Sequence, residues 1–170
     1  MSHDPLQLGA AAAGSPALME MARLHRLLFW QMVPLRLPAS ARAGESCVGC
    51  ARLLDGTAVE LELPAPGPQR GCRDCYGSRV SWYITWYHWH HHYENCLACQ
   101  RRRICFVGRG WRTRHERTTT PAGQAPTRCY TCPRPLHAAD AIVPVRWDSG
   151  SMLQLGYGHA GCVSERSRTR

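Results

Sequence analysis

Between residues 15 and 33, apolar side chains recur at steps near three and four: Leu18, Met21, Ala22, Leu28, Phe29 and Met32. Ser15 stands where an N-cap is needed and Pro16 suits the first helical position. The spacing therefore predicts an amphipathic helix over 15–33, ending before Pro34. Its apolar stripe would pack on the rest of the chain or dock a protein partner. Residues 1–14 read as disordered, and residues 34–46 as a linker rich in Pro and Ala. The period then changes to two. Val59, Leu61 and Leu63 alternate with Glu60 and Glu62 after an Asp55-Gly56 turn signal, which predicts a half-buried strand. Pro64, Pro66 and Pro68 stiffen the loop beyond it. Farther along, 141–147 and 152–157 read as two strands joined by a turn at 148–151.

The segment 80–93 fits two periods at once. Val80, Trp82, Ile84 and Trp86 alternate with Ser81, Tyr83, Thr85 and Tyr87, all types common in strands. Trp82, Trp86, Trp89 and Tyr93 also fall on one helix face, and neither Gly nor Pro occurs from 78 to 107. We read a strand through Tyr87, with Trp82, Ile84 and Trp86 filling a core; a stacking platform is the competing use. His88, His90 and His92 would share one side of that strand. Together with His91 they read as a surface run that could donate one metal ligand.

Charge changes this picture in the second half of the chain. The formal net charge is +9, and all 21 basic side chains are Arg. Lys is missing along with most residues of AT-rich codons, so its absence is first a matter of base composition. Residues 1–71 hold six Arg and six acids, whereas 72–170 hold fifteen Arg and six acids. The densest stretch is 101–117, with Arg101, Arg102, Arg103, Arg109, Arg112, Arg114 and Arg117 against one acid, Glu116. Phe106 and Trp111 are interleaved there, and Gly108 and Gly110 would allow close approach. Arg pairs with phosphate bidentately and aromatic rings stack on bases, so these nine Arg and aromatic residues make a nucleic-acid surface the leading expectation. A solvated basic face is the plain alternative. Residues 164–170 read as a basic tail adding nonspecific affinity.

No apolar run is long enough to cross a bilayer, and no basic start followed by an apolar run marks a secretory signal. The expectation is a reducing compartment, the cytoplasm (or the nucleus of a eukaryotic or viral system), without a membrane partner. Ten cysteines in such a place point to metal ligation. They come in pairs: Cys47 with Cys50, Cys72 with Cys75, Cys96 with Cys99, Cys129 with Cys132, and Cys162 with His159, leaving Cys105 alone. Two thiolates three residues apart bind one tetrahedral ion together, and a second pair completes the shell.

Grouping in chain order uses every Cys and implies three zinc ions. The sets are Cys47, Cys50, Cys72 and Cys75; Cys96, Cys99, Cys105 and a His, most simply His115; and Cys129, Cys132, His159 and Cys162. A cross-braced grouping of the first and third pairs, or a ribbon from Cys72, Cys75, Cys96 and Cys99, remains open. The RING pattern does not fit, because its second and third pairs lie close together.

CVGCARLLDGTAVELELPAPGPQRGCRDC, two knuckles around a strand and loop, resembles a zinc ribbon. CYTCPRPLHAADAIVPVRWDSGSMLQLGYGHAGC, with a knuckle, a hairpin and a His-x-x-Cys opening a helix, resembles a treble-clef finger. Cys96-x2-Cys99-x5-Cys105 with Cys75 upstream and GRGWRTR downstream resembles WhiB-like regulators. That resemblance implies a [4Fe–4S] cluster on Cys75, Cys96, Cys99 and Cys105 as the alternative for the middle set. HHHYENCLACQ resembles the end of an HNH nuclease, which implies His91 or His92 activating water and Asn95 holding the loop; here the two are too close in sequence for that site's hairpin and helix.

No phosphate loop with Lys, nucleophile elbow or zinc-protease helix occurs, so no catalytic residue is assigned. The expected fold is a small, metal-stabilised α+β chain of tandem zinc-ribbon and treble-clef units with short hairpins and an N-terminal amphipathic helix. Its segments are a ribbon-like unit over 47–79, an aromatic and basic Cys/His unit over 80–120 and a treble-clef-like unit over 121–163. The expected function is non-enzymatic binding of DNA or RNA through 101–117, with a protein-interaction adaptor using residues 16–33 as the alternative.

Overall fold

A computed structural model of the chain describes residues 37–61, 67–122, 128–149 and 152–166. The expected disordered start, the amphipathic helix over 15–33 and residues 167–170 of the basic tail lie outside the described residues. Within the expected linker, Ala39–Arg42 forms a single helical turn, α1. Two short antiparallel strands follow, β1 (Val59–Leu61) and β2 (Gln69–Gly71), with Val59 opposite Gly71 and Leu61 opposite Gln69. The alternation sets Leu61 inward, in a small cluster with Ala41 and Val48, and leaves Glu60 outward.

The aromatic run is helical: Arg73–Asn95 forms α2, 23 residues long. The strand expected through Tyr87 is not formed, and the reason lies in where the large apolar groups go. On a helix, positions 82, 86 and 89 share a face, and all three indoles are buried there. Ile84, which a strand would have set beside Trp82 and Trp86, is 43% exposed. Burying an indole outweighs the span of intrinsic strand preference, only ~1 kcal/mol, so packing decides.

After a short helix, α3 (Leu97–Gln100), the chain reverses into α4 (Phe106–Ala122). α4 runs antiparallel along α2: His88 stacks on Trp111, and Thr85 hydrogen-bonds His115 and Thr118. The last unit is a second hairpin, β3 (Ile142–Ser149) and β4 (Met152–His159), with Ile142 opposite His159, followed by α5 (Ala160–Arg166). α5 thus takes in residues 164–166 of the expected tail. The main core joins this hairpin to α2. Trp82, Trp86 and Trp89 pack with Leu136, Ile142 and Tyr157, and Trp86 Nε1 donates to the Gly156 carbonyl at 3.2 Å. The result, among the described residues, is a small α+β architecture with two separate two-stranded sheets. No helix among the described residues is long and apolar enough to cross a membrane.

Candidate metal centres

Among the described residues, three groups of four side chains, each with its ligand atoms within 4.8 Å of one another, could hold a metal ion: Cys47, Cys50, Cys72 and Cys75; His92, Cys96, Cys99 and Cys105; and Cys129, Cys132, His159 and Cys162. All ten cysteines are free thiols. The spacing of the donor atoms tests the fit. A tetrahedral ion with metal–sulfur bonds of about 2.3 Å sets two sulfurs about 3.8 Å apart, and a sulfur and a ring nitrogen about 3.5 Å apart. The sulfurs stand at 3.8 Å for Cys50–Cys72, 3.8 Å for Cys96–Cys105, 3.7 Å for Cys99–Cys105 and 3.7 Å for Cys132–Cys162. The imidazole–sulfur distances are 3.1 Å and 3.6 Å from His92 Nε2 to Cys105 and Cys99, and 3.5 Å and 3.9 Å from His159 Nδ1 to Cys132 and Cys162, on either side of that value. A disulfide would need about 2.05 Å. The donors therefore fit one ion per group.

The first and third centres share one construction. In each, the N–H of the first cysteine donates across the knuckle, Cys47 to the Arg52 carbonyl at 2.8 Å and Cys129 to the Arg134 carbonyl at 3.2 Å. Bridges close the two loops at matching places, Ser46 with Leu53 and Arg128 with Pro135. The first sulfur then accepts N–H groups from two residues on and from the start of the helix. Cys47 Sγ accepts from Gly49 at 3.3 Å and Cys72 at 3.2 Å; Cys129 Sγ accepts from Thr131 and His159, both at 3.4 Å. Knuckle, hairpin and helix start recur in the same order, so the second pair of the first unit opens a helix and does not form a second knuckle. Cys72 caps α2, Cys75 lies in its first turn, and Cys162 lies in the first turn of α5.

Those N–H donations prepare the thiolate. Burial pushes the Cys47 thiol up, but donors from Cys72, Gly49 and Cys50 outweigh it and bring it down to about 7. Cys132 is lowered to about 7, first by the Arg134 backbone N–H. Burial, with neighbouring sulfurs adding to it, pushes Cys75 up and Cys99 up to about 12. A divalent cation among the sulfurs reverses that repulsion and deprotonates the set.

The middle centre corrects the ligand chosen from sequence. His92 occupies the fourth position, and His115 does not. His92 and Cys96 lie one helical turn apart at the end of α2, α3 carries Cys99, and Cys105 immediately precedes α4. Arg102, with φ +65°, reverses the chain between them. His115 lies about 15 Å up α4 from Cys105 at 1.5 Å per residue, too far to reach the sulfurs. It is fully buried instead, bonded through Nδ1 to Thr85 Oγ1 at 2.9 Å and through Nε2 to the Tyr157 hydroxyl. The [4Fe–4S] set fails on the same geometry, since Cys75 belongs to the first centre. Of the HNH-like residues, His92 Nε2 faces Cys105 Sγ at 3.1 Å, and Asn95 donates to the His91 carbonyl within α2.

Asp140 gave no signal in the sequence. Its Oδ2 lies 3.3 Å from His159 Nε2 and accepts the His137 N–H at 2.7 Å, fixing the ring whose Nδ1 faces the sulfurs. Arg112 donates to the carbonyls of Asp140 and Ala138 and to Glu116 Oε1 at 2.7 Å. It therefore ties α4 to the Asp140 loop, which removes it from the expected nucleic-acid residues. Gly108 has a different use as well. A Cβ there would stand 3.0 Å from Cys99 Sγ, so its absence lets α4 approach the middle centre, whereas nothing lies near Gly110.

The other basic-segment residues face outward. Arg101, Arg102 and Arg103 are exposed in the loop, and Phe106, 91% exposed, opens α4. Arg109, Arg114 and Arg117 follow on its solvent side. Trp111 is half-buried against His88, with the Arg114 guanidinium 5.3 Å from its ring centre. No protein-family model matches the chain, and neither a curated protein nor a solved structure matches it.

Proposed function

We propose that the chain is a zinc-stabilised, non-enzymatic protein that binds nucleic acid through the outer face of α4 and the loop before it. Zinc is favoured by the donor sets: thiolates with at most one imidazole, four per ion, at tetrahedral spacing. Such closed shells leave no position for a reacting water, which suits a structural role. The first and third units then read as two treble-clef-like fingers, with the helical hairpin and its own ion between them.

The observation that carries the binding assignment is the one-sidedness of α4. Its inner face holds Gly108, Trp111, His115 and Thr119 against the core, and its outer face presents Phe106, Arg109, Arg114 and Arg117. A gel-shift series at rising salt tests it. Affinity should fall steeply with salt, and replacing Arg109, Arg114 and Arg117 together by Ala should flatten the log–log slope by about 2 for a single strand. Unchanged affinity and slope in that variant would refute the assignment.

A further inference from the structure

An open groove of about 580 Å³ lies where the end of α2 meets the start of α4, beside the middle metal centre. α2 contributes His88, His91 and Asn95, α3 contributes Leu97, and α4 contributes Trp111; the ligands His92 and Cys96 also reach it. We propose that this groove takes an unpaired base of single-stranded nucleic acid, a subsite that rests on the reading of α4 as a phosphate-binding face.

Four observations point to that occupant. The lining is flat and aromatic: the His88 ring lies parallel to Trp111 at 4.9 Å, and His91 lies parallel to Tyr87 at 6.3 Å. Rings of this kind stack on bases of any sequence. The groove has a polar group suited to a base edge, because Asn95 commits its Nδ2 to the His91 carbonyl and keeps a carboxamide oxygen as acceptor. Among the described residues no acidic side chain lines it, while Arg114 lies over Trp111 and the exposed Arg101 and Arg103 follow the helix that carries Leu97. A base in the groove thus has its own phosphates among cations. Finally, Leu97, which lines the groove, is 67% exposed, apolar surface that a base would cover. Bases of a duplex keep their faces stacked on one another and cannot use such a site, so the ligand is a single strand.

The test compares two probes on the full, metal-loaded chain at fixed salt. One is oligothymidylate of about twelve nucleotides; the other has the same phosphates and abasic sugars. Oligothymidylate should bind about tenfold more tightly than the abasic strand, and His88→Ala or His91→Ala should remove most of that difference without changing abasic binding or metal content. Equal binding of the two probes by the wild type would overturn the base subsite while leaving the phosphate face of α4 standing. If neither probe binds, the nucleic-acid reading falls and the subsite with it. A difference between probes that persists in both variants places the base elsewhere and overturns the groove.

Discussion

His115 should make the fold sensitive to mild acid, and the effect can be worked out from its contacts. Thr85 Oγ1 lies 2.9 Å from the carbonyls of Ser81 and Trp82, so its hydrogen points to them and it accepts from His115 Nδ1–H. His115 Nε2 is then the acceptor for the Tyr157 hydroxyl. Protonating Nε2 would place a charged imidazolium inside the tryptophan core and turn the Tyr157 hydroxyl from donor to acceptor. Burial is the main cause that pushes the imidazole down from 6.5 to about 4. Tyr157 stays neutral, since burial pushes it up. The folded pKa is depressed, so the stability is fully present above the unfolded value near 6.5 and is lost as pH falls toward about 4. Between pH 7.5 and pH 5.0 the loss is about 2 kcal/mol, reaching about 3 kcal/mol below the folded value.

Urea unfolding of metal-loaded wild type and His115→Gln at those two pH values, with free zinc held in excess, isolates this contribution. The variant breaks buried hydrogen bonds and starts less stable, by about 1–3 kcal/mol. Proton competition at the metal ligands is common to both chains and cancels. The wild type should lose about 2 kcal/mol more than the variant between pH 7.5 and 5.0. Equal losses, or a folded imidazole found by NMR to titrate near 6.5, would refute the reasoning.

Replacing His92 by Ala should lower the zinc bound from three ions per chain to two, measured by elemental analysis, whereas His115→Ala should leave three; the reverse result would restore the ligand first chosen from sequence. Asp140→Asn removes the charge that orients His159 and should weaken zinc at the third centre by about 10–100-fold, read by competition with a chelating dye. Gly108→Val drives a branched side chain toward Cys99 Sγ and His92 and should perturb the middle centre alone, visible as a change in one third of the cobalt-substituted absorption.

Which parts were legible in the sequence follows from how local their causes are. A Cys-x-x-Cys knuckle is fixed by four residues and its own N–H groups, so Cys47 with Cys50 and Cys129 with Cys132 announce themselves. The hairpin over 142–159 has two strand-like runs flanking a turn signal, and they pair as that arrangement implies. The aromatic run misled because Trp, Tyr, Ile and Thr favour strands in isolation, and only the presence of α4 and the β3–β4 hairpin makes one helix face worth burying. That error concealed His92: on a strand it is one of several imidazoles on a side, but on a helix it stands one turn before Cys96. Asp140 left no trace, and neither did the tie from Arg112 to the Asp140 loop, since both act across the fold on groups distant in sequence.

The metal centres also decide where the positive charge can act. With a dication in each centre, ligation would deprotonate the thiols, so ten thiolates would remove ten charges and three dications restore six, taking the chain from +9 to about +5. A basic total is therefore a poor guide to affinity here, and placement matters more. The first centre holds the start of α2 and the middle centre its end, about 35 Å away along a 23-residue helix. The middle centre also fixes the first turn of α4, because Cys105 directly precedes Phe106 and its sulfur accepts the Gly108 N–H at 3.3 Å. The third centre anchors the hairpin whose Tyr157 and Gly156 bind the inner faces of α4 and α2. Arg109, Arg114 and Arg117 thus project from a helix clamped at its start and along its inner side. Under the proposed function, a helix held in this way would lose little conformational freedom on binding a phosphate strand, so a modest local charge would serve where a mobile tail of equal charge would bind more weakly.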